Sequence, residues 1–289
     1  MSAFKIGIMA DSLRLPFRES LETARRLGAD GVQLYAVSGG MAPENQTAAT
    51  IAEKRSILAA CGLEVSALCG DLGGHGFTRA EENPAKIEKS KRIIDLALEL
   101  GSHVVTTHIG VVPEDAGCRT YSVLWEACNE LAAYAHRGGA YFAVETGPEK
   151  ATTLRRFLDS LDTPGVAVNL DPANLVMVTG DDPVKAAHTL APYIVHTHAK
   201  DGIMLRGIDP KTVYDFFAEG GIGDLRLDEL FREVPLGEGG VDFPAYLSAL
   251  KAEGYSGYLT IEREGGADPA ADIGAAVQFL NEVQNNLDA

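Results

Sequence analysis

The sequence predicts an α/β protein of the (β/α)8 TIM barrel class, built as a single domain over residues 1–289 with an insertion between strands 7 and 8. Three observations carry this expectation. Short β-branched or aromatic runs alternate with longer stretches of helical periodicity, and eight such runs can be counted. Glycine closes several of the helical stretches just before the next run, which suits the short returns of a barrel. The length of 289 residues is near the ~250 typical of eight such units. A doubly wound sheet would use the same alternation, but no GxGxxG follows the first run, and Gly220-Gly221-Ile222-Gly223 matches that fingerprint by composition only.

Taken in order, the first strand is expected at 4–10, where Phe4, Ile6 and Ile8 alternate with other residues, and the second at 31–37 through Val32 and Leu34. The third (64–69) and fourth (103–108) carry Val65 and Leu68, then Val104 and Val105. The last four, at 141–145, 166–171, 194–198 and 258–262, are apolar along the body and polar at the carboxyl end. Ile87, Ile93, Ile94, Leu96 and Leu98 recur at helical spacing, as do Leu124, Cys128, Leu131, Ala132 and Ala135. Trp125 falls inside the second stripe and is expected to pack in the core. Gly28, Gly62, Gly101, Gly138-Gly139 and Gly254 mark helix ends. Successive strands start 25–39 residues apart until the last step of 64, which sets 202–240 apart as an insertion. Helices are expected there at 212–217 and 227–233. A long excursion after a barrel strand opens on the catalytic face, so this segment reads either as a lid or substrate-binding loop, or as a surface or subunit contact.

Composition bounds the function. With 46% apolar and 23% charged residues the chain is of the soluble globular class. Forty-one acidic against 25 basic residues give a net charge of −16, a field that repels phosphate backbones and anionic lipid. Neither nucleic acid nor a membrane is an expected partner, and with no signal-like or bilayer-length apolar run a cytoplasmic location is expected. Cys61, Cys69, Cys118 and Cys128 form no CxxC pair and are expected to be reduced. Broad helical faces on a barrel are compatible with a homo-oligomer.

The chemistry shows where polar residues end the strands. Side chains alternate faces along a strand, so Ala143 and Glu145 share one face, as do Asn169 and Asp171, His196 and His198, and Thr260 and Glu262. The larger apolar residues between them, Val195 among them, are expected to pack under the helices. That turns Glu145, Asp171, His198 and Glu262 inward at the barrel mouth. Three carboxylates stay ionised in a partly desolvated cavity only if a cation compensates them. One divalent metal does so, and three oxygen ligands with one imidazole suit Mn²⁺ first, with Mg²⁺, Co²⁺, Fe²⁺ or Zn²⁺ as alternatives. His108, Lys200, His75 and Glu238 are candidate substrate-binding residues by their places at strand ends and in the following loops; for each the alternative is a structural role.

The segments Val144-Glu145-Thr146, Asn169-Leu170-Asp171-Pro172-Ala173-Asn174, His196-Thr197-His198-Ala199-Lys200-Asp201, 235–243 and 257–262 resemble, in order and spacing, the xylose-isomerase-like sugar phosphate isomerase/epimerase superfamily. Its members are metal-dependent TIM barrels that include ketose 3-epimerases, inosose dehydratases and, more distantly, endonuclease IV. The resemblance implies that Glu145, Asp171, His198 and Glu262 are the metal ligands and that Glu145 and Glu262 are the catalytic acid/base pair. It adds Asn174 and His196 to the substrate-binding candidates. In the ketose 3-epimerases the position of Asn174 is usually histidine; Asn hydrogen-bonds a hydroxyl but does not shuttle a proton.

The function expected is therefore a divalent-metal-dependent sugar or sugar-derivative isomerase/epimerase acting through an enediolate on a small-molecule sugar substrate. A dehydratase or lyase that expels a group β to the carbonyl of an inosose or 3-keto sugar shares the same metal and first base. An endonuclease IV-like repair enzyme is a distant third, because the additional histidines of that site are lacking and the net charge opposes it. A non-catalytic sugar-binding barrel is a further class, disfavoured by two opposed glutamates at one metal.

Overall fold

Residues 3–287 are described by a computed structural model. The described residues form strands β1 (Lys5–Met9), β2 (Gly31–Tyr35), β3 (Glu64–Cys69), β4 (Val104–Thr107), β5 (Tyr141–Glu145), β6 (Val166–Leu170), β7 (Ile194–Ala199), β8 (Asp201–Met204), β9 (Phe231–Val234) and β10 (Tyr258–Ile261). Eight of them close into a parallel barrel in the order β1-β10-β7-β6-β5-β4-β3-β2. Each barrel strand ends within two residues of the run that predicts it.

Around the barrel lie α1 (Phe17–Leu27), α2 (Ala48–Cys61), α3 (Asn83–Glu99), α4 (Arg119–Gly138), α5 (Ala151–Asp159), the short α6 (Pro172–Asn174) running into a π turn at Leu175–Thr179, α7 (Pro183–Leu190), α8 (Pro210–Glu219), α9 (Phe243–Ala252) and α10 (Pro269–Leu287). Their apolar stripes meet the outward faces of the strands. Ile6, Ile8, Val32, Leu34, Phe142, Val144 and Val168 pack in one core with Ile93, Ile94, Leu124 and Leu131. Trp125 only borders that core: it is partly exposed, and its Nε1–H donates to the Ser160 carbonyl at 3.0 Å. The four cysteines are free thiols. No helix among the described residues is long and apolar enough to cross a membrane.

The inward face is polar near its carboxyl end and small and apolar below, where Val195 packs on Ala67, Val104 and Ala143. That corrects the outward placement expected of Val195. The register of β6 and β7 shifts at Val168/Asn169, and that of β2 and β3 at Val32/Gln33. At such bulges two residues oppose one and strict alternation fails. Both shifts adjoin a buried amide, Asn169 or Gln33, each 0% exposed.

The insertion has its own framework. Asp209 caps α8 by accepting the Lys211 N–H at 3.0 Å, Pro210 supplies the first helical position, and Gly220 closes the helix at φ +70°. The helix expected at 227–233 is instead a 3-10 turn at Leu227–Glu229 followed by β9, which pairs antiparallel with β8 from Asp201↔Val234 to Met204↔Phe231. Strand pairing outweighs the short helical pattern there. Where the two ends of the insertion meet, the Asp201 carboxylate accepts the N–H groups of Gly202, Gly237, Gly239 and Val241 at 2.9–3.1 Å. Gly239 has to be glycine in this arrangement, because a Cβ would overlap the Asp201 carboxylate.

Candidate metal centre

Glu145 at the end of β5, Asp171 just after β6, His198 on β7 and Glu262 just after β10 converge inside the mouth. One ligand atom from each lies within 4.8 Å of all the others, and all four residues are buried. His198 Nδ1 is the hub, 3.2 Å from Asp171 Oδ2, 3.4 Å from Glu262 Oε2 and 3.6 Å from Glu145 Oε1.

Neighbouring groups aim these atoms. Gln33 Nε2 donates to Thr106 Oγ1 at 2.9 Å, which turns its Oε1 toward His198 Nε2 at 3.1 Å. An Nε2–H donated to that oxygen leaves the Nδ1 lone pair for a cation. Asp171 caps α6 through Oδ1, accepting the Asn174 N–H at 2.8 Å, and presents Oδ2 to the cluster. Glu145 accepts from Asn174 Nδ2 at 2.9 Å and from Asn169 Nδ2 at 3.2 Å. Lys200 donates to Glu262 Oε2 at 2.8 Å and to Glu264 Oε2 at 2.7 Å.

Charge follows the same geometry. Burial opposes a charged His198, yet facing Glu262 and Glu145 push its pKa well above the usual histidine range. Burial likewise opposes ionisation of Glu145, but His198 and His108 outweigh it and hold its carboxyl below the usual range. Lys200 is raised in the same way, burial being overcome by Glu262 and Glu264. The carboxylates thus draw positive charge inward. The donor set of three carboxylates and one oriented imidazole, buried and convergent, fits one hard or borderline divalent ion.

Glu145, His198 and Glu262 form the floor of a cavity of about 740 Å³, a size usual for small-molecule sites, with Asp171 fully buried behind them. Of the substrate-binding candidates, His108, Asn174, Lys200 and His75 line it. His108 Nδ1 lies 2.9 Å from Asp71 Oδ2; burial lowers its pKa, but Glu145 and Asp71 prevail and raise it to about 9. His196 does not reach the cavity. It sits below His198, with Nδ1 bonded to Asn169 Oδ1 at 2.9 Å and Nε2 to Thr260 Oγ1 at 3.0 Å. Burial and the adjoining His198 lower its pKa and keep it neutral. Glu238 is exposed and also lies off the cavity. Its neighbours Gly237 and Gly239 both turn their N–H groups inward to Asp201, which leaves the side chain between them facing out.

The insertion contributes Val213, Tyr214, Phe217, Phe231 and Glu233 to the cavity wall. Its helix α8 is tied across the mouth to the loop after β3: His75 meets Glu219 Oε1 at 2.5 Å, and Arg79 meets the same oxygen at 3.3 Å. Gln33 and Tyr214 were outside the residues that strand-end parity selects. Gln33 is signalled only by a polar side chain between Val32 and Leu34, and Tyr214 by nothing local.

Comparison with known proteins places the fold. A family described as xylose isomerase-like TIM barrel matches residues 21–283. A 90-residue stretch is 40% identical to the rhizopine catabolism protein MocC of Rhizobium meliloti, covering 30% of this chain and 24% of that protein. The fold superposes on a xylose isomerase domain protein from Planctomyces limnophilus with TM-score 0.79 and 27% identity, over 99% of this chain and 98% of that one. A D-tagatose 3-epimerase-like protein (TM-score 0.74, 19% identity, 99% and 100% covered) and the probable 3-DHS dehydratase AsbF of Bacillus anthracis (0.72, 18%, 96% and 99%) share the fold.

Proposed function

The chain belongs to the xylose isomerase-like TIM barrel family, and on that premise we propose that it is a divalent-metal-dependent sugar or sugar-derivative isomerase/epimerase that moves a proton α to a carbonyl. The observation that carries this reading is the convergence of Glu145, Asp171, His198 and Glu262 within 4.8 Å, three of them, Glu145, His198 and Glu262, lining a cavity. Two of the four, Glu145 and Glu262, are the general bases of the proposal, and both line the cavity.

A bound divalent ion, Mn²⁺ in the first instance, would polarise a substrate carbonyl and stabilise the enediolate charge left when the proton departs. The protein does the rest. One glutamate takes the α-proton and the other returns one to the opposite face. Asn169 and Asn174 hold the Glu145 carboxylate in place, and Lys200 holds that of Glu262. His108 reaches to 3.7 Å from Glu145 Oε1 and is placed to bond a substrate oxygen beside it. The helix α8, tied over the mouth, would exclude water during the exchange.

Asn174 favours keeping a second reading. Its amide is committed to Glu145, so it positions a base and carries no proton itself. A dehydratase or lyase needs only one base and a departing β group, which the same cluster supports. Incubation of the Mn²⁺-loaded protein with keto sugars and inososes in D₂O separates the two. An epimerase washes deuterium into recovered substrate and product, whereas a lyase yields an unsaturated product absorbing in the ultraviolet. Absence of both outcomes across the whole panel would sink both readings.

A further inference from the structure

The cavity has two unlike halves. The floor holds the carboxylates, while the half formed by the insertion presents Val213, Tyr214, Phe217 and Phe231, with Met177 and Val178 behind them. Phe217 is 62% exposed and Tyr35, across the mouth on β2, is 37% exposed. They are among the few large hydrophobic side chains left in water, and both line this cavity. Exposed aromatics at a concave mouth are costly unless something covers them.

No charge in this half is free for an anion. Among the described residues, the lysines and arginines lining the cavity already hold carboxylates: Lys200 holds Glu262 and Glu264, Lys211 holds Asp215, and Arg79 holds Glu82 and Glu219. The lining histidines are engaged as well, His75 with Glu219 and His108 with Asp71, and Glu233 pairs with Arg263. A phosphate there would have to displace a carboxylate from one of these paired cations. The volume of about 740 Å³ also exceeds what one six-carbon sugar fills.

We infer that the insertion-side half of the cavity is a subsite for an uncharged apolar substituent, so that the substrate class is a glycoside- or ether-substituted keto sugar or cyclitol rather than a free or phosphorylated one. This rests on the proposed sugar chemistry at the floor, with the sugar ring lying over the cluster and its substituent against Phe217 and Tyr214. The aromatic faces supply the affinity that a free sugar, fully hydrated in water, cannot obtain there.

Calorimetric binding of three probes to the Mn²⁺-loaded protein tests it: phenyl β-D-glucoside, glucose and glucose 6-phosphate. The phenyl glucoside is expected to bind about fivefold to tenfold more tightly than glucose, the worth of one aromatic contact, and the phosphate ester no better than glucose. Phe217→Ala is expected to erase that preference while leaving glucose within about twofold, the scatter allowed for an untouched contact; Phe217→Tyr keeps it. Failure of the phenyl glucoside to bind better than glucose, tightest binding by glucose 6-phosphate, or an unchanged preference in Phe217→Ala would each overturn the inference. So would a Phe217→Ala effect confined to a concentration-dependent change of oligomeric state. A preference that persists while no α-proton exchange occurs would retain the subsite and remove the isomerase reading.

Discussion

At the scale of single residues, the site depends on side chains that aim other side chains. Gln33 is the clearest case, since its amide oxygen fixes His198 with Nδ1 toward the carboxylates. Gln33→Leu keeps the volume and removes the acceptor; the Mn²⁺ affinity is expected to fall by about 10–100-fold in a metal titration, with the far-ultraviolet spectrum unchanged. Glu149 makes a different prediction. It is buried in the loop after β5, its Oε2 accepts the Val112 N–H at 2.9 Å, and its Oε1 has no partner. Burial raises its pKa to about 8. The folded state therefore keeps a proton that the unfolded chain releases near pH 4.5, so stability from this group is full below that pH and is lost as pH rises toward 8. Glu149→Gln should leave stability unchanged near pH 4 and raise it by up to about 3 kcal/mol at neutral pH, read from urea unfolding at the two pH values. Parity along the last four strands makes Glu145, Asp171, His198 and Glu262 legible from sequence. Gln33 was not, because its role is set by a register shift and by a histidine 165 positions away.

At the scale of elements, the barrel strands were legible because each is a short apolar run, and β2, β3, β4, β5 and β10 begin soon after a glycine-closed helix. Gly28, Gly62 and Gly139 do adopt the left-handed conformation, at φ +103°, +64° and +70°. What failed was local pattern against pairing. The end of the helix expected at 227–233 instead forms β9 (Phe231–Val234), since β8 offers it a ladder. Val195 reads as outward-facing but lies inside, since β7 carries an extra residue against β6. The insertion is held by one carboxylate at its base, and Asp201→Ala strips the acceptor from four backbone N–H groups. Limited proteolysis of that variant should cut within 202–240 at least about tenfold faster than in wild type, because local opening there becomes cheaper by more than 1.4 kcal/mol. Equal cutting rates would show that the β8–β9 pairing and the contacts of Glu219 with His75 and Arg79 hold the insertion without Asp201.

At the scale of the whole molecule, the net charge of −16 acquires a local meaning. Three of its carboxylates sit at the barrel mouth and draw His198 and Lys200 toward them. A cation that binds only the folded arrangement stabilises it by mass action. At a hundredfold excess of Mn²⁺ over its Kd the gain is about 2.7 kcal/mol, which for a chain of this size raises Tm by about 5 °C. Chelator should reverse the shift, and in Asp171→Ala the shift should disappear. The substrate was not legible in the sequence, because the half of the cavity that bears on it is built by an insertion whose side chains follow no strand parity. The central claim is that Glu145 and Glu262 move a proton α to a carbonyl at a bound metal. Mass-spectrometric deuterium uptake from D₂O into a keto sugar or inosose substrate tests it most directly, comparing wild type, chelator-treated protein, Glu145→Gln and Glu262→Gln. The account predicts uptake by the Mn²⁺-loaded wild type and a loss of about a thousandfold or more in the other three, with the fold retained. Uptake that survives in both glutamine variants, or that continues without metal, would contradict it.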